Sequence, residues 1–446
     1  MTIRVRWLLS RLGSNYWFYP ALFSVGAVAL AFLMVYLDRN GFAEWLNDVK
    51  AIVPSRPQGA SNGLTVIAGS MIGVASTVFS ITIAAVAYAS GTYGPRLLTN
   101  FMEDKGNQLS LATFIGTFVY AITVLRTVRA EDEVAASAAD AASTALPGFV
   151  PQLSLLVAYL LMALSIAVLV FFLNHIPSSI RINTVLEEIG HKLLDDIRDE
   201  FPNENVGIEA RDAPDGAPVR SRHTGYVQII DFDRLDALAK EMEQPVSLEV
   251  RTGDFVHPGM AMIRVGTEKD DLASHPEEEK LYEVVKDAFT LGATRTPDQD
   301  PQFLVDELVE IALRALSPGI NDPFTAITAM HWLGAATAEL GCRDLRKQVV
   351  DEPEAQRLYP LPDDFEHYLK RGFGAVRSGV APSHTAALVM LDTLRHTAAP
   401  IDDATRIGLL RREGDRFMEQ VRLKQEGPDL QDIEARYVTF TQSLDR

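Results

Sequence analysis

The sequence predicts a mainly α protein in three parts: a polytopic four-helix membrane domain, a small β module and a C-terminal helical cytoplasmic domain. Three observations carry that expectation. Residues 57–95 contain no Asp, Glu, Lys or Arg, and the windows 17–37, 109–125 and 153–173 are likewise free of them. Such windows match the length needed to cross about 30 Å of hydrocarbon as a helix. Charge is partitioned as well: residues 1–176 hold 10 basic and 9 acidic side chains, and the rest of the chain holds 31 and 50. Finally, the apolar pattern changes along the chain, from continuous runs to strand-like segments and then to helical spacing. The expected division is 1–176 for the membrane domain, 177–222 for a cytoplasmic helix and linker, 223–267 for the β module and 268–446 for the helical domain.

The first span, 17–37, is entered through Tyr16, Trp17 and Tyr19, an aromatic cluster suited to the headgroup boundary. No small-x-small cleavage site follows it, so it reads as an anchor and not as a removed leader. In loop 38–63, Phe42, Trp45, Leu46, Val49 and Ile52 recur at helical spacing, which predicts a short helix on the membrane surface. The second span, 64–90, carries Ser70, Gly73, Thr77, Ser80, Ala84, Ala87 and Gly91 three and four residues apart, so these small groups share one helical face. A face so bare either packs closely against another helix or lines a path. The third span, 109–125, ends at Arg126 and Arg129, placed to reach the interface. The fourth, 153–173, exits through His175 and Pro177, and His175 is either a boundary residue or a pH-sensitive group.

Four spans put both termini on one side. Arg4, Arg6 and Arg11 precede the first span, Arg181, Lys192 and Arg198 follow the last, and loop 126–149 carries Glu131, Asp132, Glu133 and Asp140. That asymmetry, modest because loop 38–63 still holds Arg39, Lys50 and Arg56, favours termini in the cytoplasm. Beyond the fourth span, Ile182, Val185, Leu186, Ile189, Leu193 and Ile197 form a helical stripe over 178–201, and the Pro-containing stretch 202–222 reads as a linker.

Segments 224–231 and 245–265 have strand character, with a short helix over 233–242 between them. Gly253-Asp254 and Pro258-Gly259 place two tight turns, a pattern similar to the small barrels of biotinyl and lipoyl carriers. Those carriers need a lysine at a hairpin tip, and 245–265 has none, so the segment reads as a structural module. From about Ser274 onward the pattern is helical. Pro276 opens an acid-rich first turn and Gly292 ends that helix; further helices are expected over 363–378, 383–398, 402–424 and 431–444.

The densest cluster of special residues is RTPDQD (295–300) followed by RALSPGINDP (314–323). Asp300-Pro301 and Asp322-Pro323 each place a capping carboxylate before a first-turn proline, exposing backbone N–H groups at two helix starts. Arg295, Asp300, Arg314, Ser317, Asn321 and Asp322 either complete an anion pocket there or serve only as caps and their ion-pair partners. No metal is expected, because none of the nine histidines has ligand spacing and Cys342 is alone. That cysteine reads as a small buried hydrophobe. No Walker loop, dinucleotide fingerprint, nucleophile elbow or kinase set occurs, so no cofactor is expected and enzyme activity ranks last. The acidic C-terminal part should repel nucleic acid.

GTYGPRLL (91–98), the strand 225–231, RTGDFVHPG (251–259) and above all RALSPGINDPFTA (314–326) resemble a family of bacterial membrane proteins catalogued only as a domain of unknown function. The resemblance covers nearly the whole chain and implies the four-span layout with a large cytoplasmic domain; it supplies no activity. The expected function is therefore a homo-oligomeric channel or pore, with the second span near its axis and gating by the cytoplasmic domain. The expected partners are the lipid bilayer, further copies of the chain, and an ion or small anion. The alternative is a membrane-tethered ligand sensor or scaffold using the 295–323 pocket.

Overall fold

A computed structural model describes residues 15–42, 56–94, 104–128, 149–201, 215–266, 278–345, 357–361 and 363–445. The surface helix expected at Trp45–Ile52, the acidic loop residues Glu131–Asp140, the basic Arg4, Arg6, Arg11 and Arg129, the linker at 202–214 and Pro276 lie outside the described residues. The chain divides into two compact units, Met1–Arg181 and Ile182–Arg446.

The first unit is built from α1 (Phe18–Arg39), α2 (Pro57–Tyr93), α3 (Lys105–Leu125) and α4 (Gln152–Ser179). These four helices are long and apolar enough to cross a membrane. Helix α3 packs against the other three, which explains why it alone is mostly covered. Phe114 and Tyr120 on α3 are fully buried, and Gly116 lets the backbone of α1 approach at Phe23. Water is absent from hydrocarbon, so polar groups must find partners inside the unit. The Thr117 and Ser165 hydroxyls lie 3.0 Å apart between α3 and α4, and Tyr120 Oη donates to the Ser154 carbonyl. At one end, Asp38 at the close of α1 accepts from Leu153 N and Ser154 N at 2.9 Å and from Ser154 Oγ at 2.6 Å, capping α4 from a different helix. At the other, Asp104 caps α3 through Gly106 N and meets His175 Nε2 at 2.7 Å.

The second unit opens with α5 (Ile182–Glu200), whose stripe Val185, Leu186, Ile189, Leu193 and Ile197 is buried. Seven short strands follow among the described residues: β1 (Ala217–Arg220), β2 (Gly225–Ile230), β3 (Val246–Leu248), β4 (Phe255–Val256), β5 (Ala261–Val265), β6 (Phe289–Gly292) and β7 (Leu358–Tyr359). They form a four-stranded sheet in the order β1-β5-β3-β7 and a three-stranded sheet in the order β4-β2-β6. All pairs are antiparallel except β3 with β7. Helices α6 (Phe232–Met242) and α7 (Glu278–Ala288) share the core of these sheets with Val227, Val246, Ile263 and Phe289. The turns at Gly253 and Gly259 adopt φ of +88° and +95°, values glycine tolerates without cost. One expectation is corrected. The helix expected to run to Gly292 stops at Ala288, because Phe289–Gly292 pairs with β2 and becomes a strand.

The remainder is helical: α8 (Pro301–Ala315), α9 (Pro323–Gly341), α10 (Phe365–Leu369), a π-helical turn over Lys370–Gly374, α11 (Ala375–Val380), α12 (His384–Ala398), α13 (Ala404–Arg422) and α14 (Gly427–Ser443). Helix α9 lies at the centre, against α5, α8 and α12. Arg406 donates to the carbonyls of Leu340, Gly341 and Arg343, satisfying the open C-terminal end of α9.

Candidate functional site

Two features combine unusual residues with defined geometry: one face of α2 in the membrane unit, and the junction where the β module meets α8 in the second unit. On α2, Leu64, Ile67, Met71, Ala75, Val78 and Thr82 are buried against neighbouring helices. At 100° per residue, Ser70, Gly73, Thr77, Ser80, Ala84, Ala87 and Gly91 lie on the opposite side, and all seven are exposed. A side chain added at Gly69, Gly73 or Gly91 would meet no atom within 4 Å. Among the described residues of the first unit, no helix packs on this face of α2. Thr77 Oγ1 donates to the Gly73 carbonyl at 3.0 Å and Ser80 Oγ to Ser76 at 2.9 Å, so both hydroxyls are satisfied within the helix. The flanks of the same helix present Ile72, Phe79 and Ile83, the bulky groups usual against lipid.

The second feature brings together RTGD (251–254), RTPDQD (295–300), the start of α8 and the π turn. Asp300 is 2% exposed and caps α8 through Phe303 N. Its Oδ2 accepts from Arg295 Nε at 3.0 Å and Nη2 at 2.6 Å. Arg295 also binds Asp306, one turn into α8, and Arg371 from the π turn binds the same carboxylate through Nε at 2.6 Å and Nη2 at 2.7 Å. The third donor of Arg371 reaches Gln302 Oε1 at 2.9 Å, where His367 Nε2 also lies at 3.1 Å. Thr252 Oγ1 donates to the Gln299 carbonyl. Gly253 presses so closely on the cluster that a Cβ would sit 2.3 Å from Asp300 Oδ2.

The electrostatics follow from burial and pairing. Burial raises the Asp300 carboxyl above the usual carboxylate range despite Arg295. Burial also acts on Asp306, but Arg371 and Arg295 outweigh it and hold that carboxyl below the usual range. His367 is lowered by burial and then by Arg371 and Arg251, which favours its neutral form. Two guanidinium groups thus face two carboxylates that already bind them. The arrangement locks the β module to the helical layer, and an incoming anion must displace Asp300 or Asp306 to reach Arg295.

The residues expected to form one pocket are divided. Arg295 and Asp300 meet at the start of α8. Arg314, Ser317, Asn321 and Asp322 lie at and beyond its end, 15 residues or ~22 Å away along the axis. There Arg314 faces Glu310 at 3.7 Å, Ser317 Oγ donates to the Arg314 carbonyl, and Asp322 caps α9 through Thr325 N and Oγ1. Asn321 takes φ of +49°, a left-handed value that Asn accepts readily. Sequence reasoning missed Asp306, Gln302, His367 and Arg371. Arg-Thr-x-Asp occurs at both 251–254 and 295–298, the two loops that meet here; nothing local marks Arg371. His175, flagged at the exit of the fourth span, pairs with Asp104 and stacks on Phe171 with centroids 5.0 Å apart. Among the described residues no group of three or more His, Cys, Asp or Glu could hold a metal ion.

Comparison with known proteins agrees with the membrane architecture. A family model described as predicted membrane protein DUF2254 matches residues 13–396. An uncharacterized protein of Mycobacterium bovis is 31% identical over 337 residues, covering 74% of this chain and 61% of its own length. Uncharacterized proteins from two strains of Mycobacterium tuberculosis match with the same identity and coverage. The matched region thus spans less than two thirds of these relatives. No solved structure matches.

Proposed function

The chain belongs to the DUF2254 family of predicted membrane proteins, and from that premise we propose that it works as a homo-oligomeric channel or pore of the bacterial inner membrane. In this reading α2 lies nearest the symmetry axis, the termini and the second unit are cytoplasmic, and the second unit gates the path. The observation that carries the reading is the orientation of α2: between Ser70 and Ala87 its bulky residues face the bundle or flank it, while all seven small residues face outward, with Val66 and Tyr88 at the two ends of that face. Facing lipid, such a bare helix face gains nothing from being bare. Against a neighbouring helix it allows close backbone approach, the main source of helix attraction in a bilayer. Repetition of one such contact around an axis closes a ring. A ring lined by Ser70, Thr77 and Ser80 offers hydroxyl oxygens to a passing ion without any intramembrane charge. The competing reading, a ligand sensor at 295–323, is less favoured because Arg295 is already held by Asp300 and Asp306.

The test is direct. Purified chain should run as a defined oligomer by mass in detergent and conduct in planar bilayers, with Ser80→Leu reducing that conductance several-fold. A monomer, or a silent bilayer under varied voltage, tension and anionic ligand, would refute the pore.

A further inference from the structure

The loop joining α8 to α9 ends in an apolar tip that the fold leaves uncovered. Phe324 is 70% exposed and Ile320 42% exposed. The loop itself is well ordered by hydrogen bonds: Ile320 N and Asn321 N donate to the Ser317 carbonyl, and Asp322 N to that of Ala315. These two side chains are therefore held outward on a fixed turn.

Where this tip lies in the second unit follows from helix register. Helices α5 and α9 run side by side and parallel. A Cβ at Gly190 would lie 2.1 Å from the Trp332 ring, Arg198 pairs with Glu339, and Arg343 donates to the Phe201 carbonyl at 2.7 Å. The last two pairs share offsets of 141 and 142 residues, and Gly190 with Trp332 fits the same register. Carried back to the start of both helices, that register sets Phe324 beside Ile182. The chain enters α5 at Ile182 only three residues after the fourth span ends at Ser179. The uncovered tip thus belongs to the end of the second unit at which the chain arrives from the bilayer.

Charge points the same way. The second unit is strongly acidic, yet residues 311–321 contain no carboxylate, and that of Asp322 is bound to Thr325. Arg314, six residues before Ile320, pairs with Glu310 at 3.7 Å, and Arg181 is exposed in the connection from α4. A Phe and an Ile on a rigid turn, in a stretch whose own residues carry no free carboxylate and with Arg181 in the connection to the span, have the chemistry of an interfacial anchor.

We infer that Ile320 and Phe324 insert into the headgroup–acyl boundary of the bilayer that the four spans occupy, so that the SPGINDPF loop is a lipid-docking element. The test uses the full chain carrying Cys342→Ser, reconstituted in nanodiscs of phosphatidylethanolamine and phosphatidylglycerol. A nitroxide is placed in turn at Ile320→Cys and Phe324→Cys, each variant leaving the other apolar side chain intact. Leu164→Cys, 52% exposed on α4, is the lipid reference, and Leu423→Cys, 81% exposed in the second unit, is the water reference. Relaxation by oxygen relative to a water-soluble nickel chelate should exceed that at Leu423 at both loop positions and stay below that at Leu164, which lies mid-span. Values matching Leu423 would overturn the inference. So would loss of access to both relaxants, which would mean that protein, such as a second copy, covers the tip.

Discussion

At the scale of single residues, Gly253 and Asp196 make the sharpest demands. Gly253 combines a left-handed φ with direct contact on the carboxylate of Asp300, itself fixed by Arg295. Neither the backbone nor the carboxylate can give way cheaply. Gly253→Ala should cost roughly 2–4 kcal/mol from backbone strain and overpacking together, read as faster hydrogen exchange in α8 and β2; exchange like that of the parent chain would contradict this account of the junction. Asp196 sits on the last turns of α5, where burial raises its carboxyl to about 6, against the pull of Lys192 and with help from Asp199, Asp195 and Glu200. Folding therefore favours the protonated form. The stability that the proton contributes is complete below about pH 4 and is lost as pH rises through about 6. Asp196→Asn keeps a neutral side chain at every pH. It should melt higher than the parent at pH 8, and the difference should shrink on acidification; parallel melting profiles from pH 4 to 8 would exclude the effect. The capping aspartates were legible in sequence because Asp-Pro at a helix start has a local cause. Arg371 was not, because its partner Asp306 lies 65 residues away.

At the scale of elements, local pattern succeeded wherever the cause of an element is local. The spans, the α5 stripe and the Gly253 and Gly259 turns each follow from neighbours in sequence. It failed where a distant strand decides. Residues 289–292 follow a helix without interruption, yet Phe289, Thr290 and Leu291 align with Ile230, Ile229 and Val227 of β2, and that pairing overrides helical continuation. The parallel pairing of β3 with β7 is equally invisible to any short window. The π turn at Lys370–Gly374 has the same character: it turns Arg371 toward Asp306 and Gln302, a demand set by α8. In the membrane unit, the element held from a distance is α4. Its first turn is capped by Asp38 at the end of α1, which accepts three hydrogen bonds. Asp38→Ala leaves two backbone donors and a hydroxyl without that acceptor. It should lower stability by about 2 kcal/mol, measured as a drop in the thermal midpoint of the detergent-solubilised chain. An unchanged midpoint would show that water caps α4 equally well.

For the molecule as a whole, the membrane half was the more legible because a bilayer imposes a one-dimensional rule: enough apolar residues in a row, with backbone groups satisfied within the helix. The second unit obeys no such rule, and its ionic junction is assembled from three segments that nothing in the linear order joins. The small-residue face of α2 falls between these cases. Its existence could be read from spacing, but its direction could not, since close packing within the chain and contact beyond it need the same residues. Met71, Ala75 and Val78 on the other side of α2 make its contacts within the described first unit, which favours contact beyond it. In the proposed oligomer, the contact depends on how near the α2 backbones of adjacent copies come. Ordinary helix pairs keep their axes about 8–10 Å apart, whereas a disulfide needs Cα atoms within about 4.4–6.8 Å. Small residues facing each other allow that approach, and bulky ones prevent it. In the Cys342→Ser chain, mild oxidation should therefore link Thr77→Cys to its counterpart, and Ala84→Cys likewise. Ile83→Cys, 45% exposed and six residues or about 120° around the helix from Thr77, should stay monomeric on a denaturing gel. If position 83 links as readily as 77, or if neither 77 nor 84 links in native membranes, α2 does not line the subunit contact and a pore built around it cannot exist.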